Sequence, residues 1–161
     1  MQAVLNIMEA LITEHERMLN ISNEKTELMK AGKIDAFQKL LMQERKQTQA
    51  ISQLENKRVQ AVDALFQEMG IENTDKTVTV LLEQMEEGQQ KREMEASVSR
   101  LIDYIVQIRE VEQLNKELIQ QSMTFVQLSL EMLQPNLGKM NYGKQQSSHM
   151  TPNTSVFDSK A

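Results

Sequence analysis

The chain has 161 residues, enough for one domain; it is 40% hydrophobic but only 4% aromatic, with twelve Met against five Gly and two Pro, so the closely spaced turn residues of a β-sandwich or barrel are absent and helix is favoured. A net charge of −5 with no Lys/Arg block argues against nucleic acid or anionic lipid as a partner, and zero Cys excludes a disulfide framework and thiolate metal sites. No apolar run approaches the roughly 18 residues of a membrane span, and Glu9, Glu14 and Glu16 interrupt the stretch where a signal peptide would carry its apolar core, so a cytoplasmic protein without stable membrane insertion is expected.

Residues 2–30 read as one helix. Steps of three and four place Leu5, Met8, Ile12, His15, Leu19, Ser22, Thr26 and Met29 on one stripe, widened by Val4, Leu11 and Met18. Gly32 stops it, and Asp35 with Gln38 three residues on predicts a capping box for the next helix. That second helix runs to about Met69 and is closed by Gly70. Its seam is Phe37, Leu41, Glu44, Thr48, Ile51, Glu55, Arg58, Val62, Leu65 and Met69, with Leu40, Leu54 and Ala61 beside it. The polar middle has two readings: a solvated face where the helix rolls out of register, or a register-setting polar layer inside the bundle. Glu55 and Arg58, three apart, can pair along the helix.

Between Gly70 and Gly88 the β-branched run from Thr77 to Val80 has strand character, but no second strand is available to pair with it. A short helix carrying Val78, Leu81, Leu82 and Met85 is expected, capped by Thr74 or Asp75. The last helix is the longest, from about Gln89 to Gln134, where Pro135 forbids continuation. Its inward set is Met94, Val98, Leu101, Ile105, Ile108, Glu112, Asn115, Ile119, Ser122, Val126 and Leu133. Residues 135–161 are rich in Ser, Asn, Gln, Gly and Thr and cannot bury enough apolar surface to offset their ordering entropy, so a disordered polar tail is expected.

The expected fold is all-α: an elongated antiparallel bundle, or coiled-coil-like hairpin, of three long helices plus one short one over residues 1–134, followed by the flexible tail 135–161. Chemistry is poorly provided for. His15 lies on the buried stripe with Ile12 three residues before it, so the Glu-x-x-His pair of a di-iron bundle is missing, and no phosphate-binding Gly loop or Gly-x-Ser-x-Gly occurs. No catalytic residue, metal site or cofactor is expected.

An uncovered surface is expected instead. At 1.5 Å per residue the three long helices measure about 42, 51 and 68 Å, so with antiparallel neighbours the last one overhangs by about ten residues. The overhang carries Phe125, Val126, Leu128, Leu130, Met132 and Leu133, too much apolar surface to leave in water on a monomer. It suits recognition of other helices, with Phe125, Leu128 and Met132 as the large anchors.

The stretch IREVEQLNKELIQQSMTFVQLSLEML, residues 108–133, resembles the signature helix of the FlgN-type flagellar export chaperones: N-x-x-N-x-x-L-[LI], then a small or polar residue, an aromatic and Leu-rich spacing. Asn115, Leu118, Ile119, Ser122, Phe125 and Leu130 match it; the first asparagine of the pair is Glu112 here. Glu44, Ile51, Leu54, Glu55 and Arg58 are similar to the family's E…L..LE..R run, and LITEHERMLNIS and the Tyr142-Gly143 pair in the tail fit as well. The resemblance implies a cytosolic chaperone of the flagellar type III secretion system. Such a chaperone binds helical terminal segments of hook–filament junction proteins, prevents their premature assembly and delivers them to the export gate. It adds Leu118, Ile119 and Ser122 to the client-binding set, marks Glu44, Glu55, Arg58 and Asn115 as signature positions, and makes Tyr142 the candidate docking residue for the cytosolic domain of the gate. A monomer or weak homodimer is expected. The rival reading is a structural coiled-coil adaptor acting through homodimerisation, against which the polar positions Glu44, Thr48 and Glu55 argue, since a long zipper wants apolar a and d positions.

Overall fold

A computed structural model describes residues 1–71 and 76–133. Among the described residues the chain is all-α, with α1 (Gln2–Lys30), α2 (Ile34–Glu68), α3 (Val78–Gln84) and α4 (Gln89–Leu133) and no strand. The expected tail 135–161, with Tyr142, lies outside these residues. The chain divides into two compact units, Met1–Ile119 and Gln120–Ala161, so α4 contributes to both.

In the first unit, α1 and α2 form an antiparallel hairpin because Gly32 reverses the chain in about three residues. Gly32 sits at φ 65°, and the amides of Gly32 and Lys33 return to the carbonyls of Met29 and Leu28 at 3.1 and 3.0 Å, the crossed pair of bonds that satisfies a helix C-terminus. Gly70, also at φ 65°, ends α2 the same way, with the amides of Gly70 and Ile71 on the carbonyls of Gln67 and Phe66. Both stops agree with the sequence reading. The start of α2 does not: Lys33 occupies the N-cap and makes no side-chain cap bond, while Asp35 falls inside the first turn. The Schellman turn closes the loop so tightly that helical geometry begins before Asp35 can cap, and its carboxylate there still favours the positive end of the helix dipole.

α3 is helix, as expected from the lack of a pairing strand. Its cap is Thr77, whose side-chain oxygen accepts from the Val80 amide at 3.2 Å; Thr74 and Asp75 lie outside the described residues. An ion pair between Lys76 and Asp63 ties the start of this segment to α2.

α4 then runs beside α1 in the same direction. Ser97 and Arg100 donate to the Glu9 carboxylate, and far along both helices Asn115 reaches Ser22 and Thr26. The apolar core sits at one end of this unit: Val4, Leu5, Met8, Leu11 and Ile12 of α1, Val62, Leu65 and Phe66 of α2, Val78 and Leu81 of α3, and Met94 and Leu101 of α4. Beyond Leu101 the one buried residue of α4 is Asn115. Ile105 and Ile119, read from the sequence as inward, are 40% and 43% exposed. Around Asn115, α1 presents Ser22, Lys25 and Thr26, so that layer closes through polar groups rather than apolar ones. α2 shows a similar shift, with Leu40 buried and Leu41 exposed.

Candidate functional site

Two features stand out, one in each unit. The first is the polar layer at the end of the bundle away from the core. The Lys25 ammonium, on a residue only 6% exposed, donates to Glu44 of α2 at 2.6 Å and to Glu112 of α4 at 2.8 Å, so a single cation joins three helices. Next to it the Asn115 side chain donates to the Ser22 carbonyl at 3.0 Å and accepts from the Thr26 hydroxyl at 2.5 Å. Burial pulls the Lys25 pKa down, but the hydrogen bonds and charges of Glu112 and Glu44 outweigh it and hold the ammonium above its ordinary range. Burial pushes Glu112 up, and the Lys25 hydrogen bond and charge, with other hydrogen bonds, bring it net below the usual carboxylate value. Both shifts keep the pair ionised at neutral pH.

This layer decides between the two readings of the α2 seam position by position. Glu44 belongs to an internal polar layer. Thr48 is exposed and its hydroxyl returns to the Glu44 carbonyl, while Glu55 and Arg58 pair with each other at 2.8 Å, half-buried. Sequence reasoning does not single out Lys25. The available signal is its spacing, four and then three residues along the stripe of Met18 and Ser22, opposite the acidic Glu112 at a signature asparagine position.

His15 is buried, and its Nδ1 lies 2.7 Å from the Leu11 carbonyl, which can only accept, so that nitrogen carries the proton. This polar contact is made within its own helix. Among the described residues no three His, Asp or Glu side chains gather as a metal-binding group.

The second feature is the end of α4 in the second unit. From Met123 to Leu133 seven large apolar side chains stand 50–73% exposed: Met123, Phe125, Val126, Leu128, Leu130, Met132 and Leu133. At about 100° per residue they form two stripes. Met123, Val126, Leu130 and Leu133 span about 80° of the helix; Phe125, Leu128 and Met132 span about 60°, centred about 150° away. Polar residues separate the stripes on both sides and bond within the helix: Gln127 donates to the Glu131 carboxylate at 3.2 Å, Thr124 to the Gln120 carbonyl at 3.0 Å, and Ser129 to the Phe125 carbonyl at 2.8 Å. Ser122 is exposed on the polar border. Leu118 and Ile119 belong to the first unit, where Leu118 is half-buried.

A family model described as "FlgN protein" matches residues 1–149. The chain is also similar to "Uncharacterized protein YvyG" of Bacillus subtilis (strain 168), at 29% identity over 162 residues that cover 99% of this chain and 98% of that protein. No solved structure matches it. No helix among the described residues is long and apolar enough to cross a membrane.

Proposed function

The chain belongs to the FlgN family, a family of flagellar export chaperones and not of enzymes, and on that premise we propose that it binds helical terminal segments of hook–filament junction proteins in the cytoplasm and delivers them to the export gate. One observation carries this reading: the terminal stretch of α4 holds helical form while exposing Phe125, Met132 and Leu133 at 70% or more. Apolar surface of that kind on an ordered helix is an interaction surface by default. A client's amphipathic segment, unstable alone and prone to early assembly, loses its apolar stripe to this surface and is masked until release. No chemistry is required; the energetics are burial of apolar area, concentrated in a few large anchors. By the same proposal Leu118, Ile119 and Ser122 border the client site, and Tyr142 makes the gate contact.

Size-exclusion chromatography with light scattering tests the reading, using the purified hook–filament junction proteins with the full chain, a chain ending at Gln121 and a chain ending at Gln134. A heterocomplex is expected for the full chain and for the chain ending at Gln134, and not for the chain ending at Gln121. Phe125→Ala is expected to weaken the complex by about 1–2 kcal/mol without loss of helicity. A tight homodimer at low micromolar concentration that ignores both clients would instead establish the coiled-coil adaptor.

A further inference from the structure

The two apolar stripes on the end of α4 cannot both be covered by one helix. A partner helix packs over roughly a third of another's circumference, and these stripes lie about 150° apart. We propose that the client engages this segment with two amphipathic helices, one on each stripe, so that the end of α4 becomes the central strut of a small mixed bundle. The proposal deepens the chaperone reading and rests on it.

Area supports the two-sided geometry. Residues 120–133 make a helix about 21 Å long; with its hydration radius it presents roughly 850 Å² around its circumference. One helix on one stripe therefore buries about 560 Å² counting both partners, a size typical of incidental contacts, and leaves the other stripe wet. The same figure argues against a second copy of this chain seated on one stripe, since a stable dimer needs two to three times as much. Two helices bury about 1,100 Å², which reaches the range of specific but transient complexes and fits a client that must later be released. The polar borders add to the argument: Gln127, Thr124 and Ser129 each donate a hydrogen bond within their own helix, so recognition rests on the two apolar stripes. The partner class is accordingly a helical hairpin, or two terminal helices of one protein, each with an apolar face about four turns long.

The test compares full-length double variants in titrations against the purified hook–filament junction proteins, with circular dichroism to verify unchanged helicity. Val126→Ser with Leu130→Ser spoils the first stripe, and Leu128→Ser with Met132→Ser spoils the second. Each pair is expected to weaken binding tenfold or more. If only one pair weakens binding, a single client helix docks and the two-helix proposal is overturned while the chaperone reading stands. If neither pair does, although the unaltered chain binds, the client sits elsewhere and the proposal fails. If the unaltered chain binds neither junction protein, the chaperone reading fails and takes this proposal with it.

Discussion

At the scale of single residues, Lys25 holds the polar layer of the first unit together. Its ammonium pairs with two carboxylates on two other helices, and removing it leaves Glu44 and Glu112 without their shared cation in a partly buried layer. Breaking a fully buried pair costs about 3–5 kcal/mol; with these glutamates partly open to water, Lys25→Ala is expected to cost about 1–3 kcal/mol in denaturant unfolding. The same layer sets a pH dependence. Glu112 titrates lower folded than unfolded, so its stabilisation is present above the ordinary glutamate pKa and is lost as pH falls through the lowered value. Lys25 titrates higher folded than unfolded, so its contribution is full below the ordinary lysine pKa and fades only in strong alkali. Thermal unfolding followed from pH 7 down to pH 3 should therefore show a steeper acid loss for the natural chain than for Glu112→Gln. Equal slopes would mean that Glu112 takes no part in that dependence.

The helices themselves were largely legible because their punctuation is chemical. Gly32 and Gly70 stand where a left-handed residue is needed, and the apolar stripe of α1 recurs at helical spacing from Val4 to Met18. At Gly32 a Cβ would meet nothing within 4 Å, so Gly32→Ala carries only the backbone cost of φ 65°, about 1 kcal/mol by chemical denaturation, and Gly32→Asn less. What resisted reading was rotation within an element. Leu40 and Leu41 are equally apolar, and which one faces α1 depends on a hairpin phase that the α2 pattern, interrupted by Glu44 and Thr48, leaves open. Asp35 was displaced from its capping role by tight loop closure, a tertiary demand that no local motif encodes. Lys25 stayed hidden because pattern reading treats lysine as surface, and only the pairing of three helices shows that two acids wait for it.

Across the whole molecule the apolar core and the proposed client surface draw on different residues. Among the described residues the apolar cluster lies between Val4 and Leu101, whereas the exposed stripes begin at Met123. Phe66→Ala, at a fully buried side chain, should cost about 3–5 kcal/mol of stability. Ending the chain at Gln121 should move the melting temperature of the bundle by no more than a few degrees while abolishing client capture. A truncation that unfolded the bundle would show that the terminal stretch supports the fold after all. The exposure of Phe125, Val126, Leu128, Leu130, Met132 and Leu133 is legible in the sequence, since helix lengths alone predict that the last helix outruns its partners. Met123, 68% exposed, extends that set, since it lies before the roughly ten residues that helix lengths predict to overhang.

The manner in which Lys25 is held also changes its reactivity. An amine acts as a nucleophile only when unprotonated and reachable, and here the two glutamates keep it protonated and enclosed, while Lys30 nearby has a side chain 53% open to solvent. In brief acylation with a water-soluble ester, Lys30 should be marked within the first moments and Lys25 last. Mass spectrometry of the labelled chain then turns Lys25 into a clock for that end of the bundle, its time of marking being the waiting time for three helices to part.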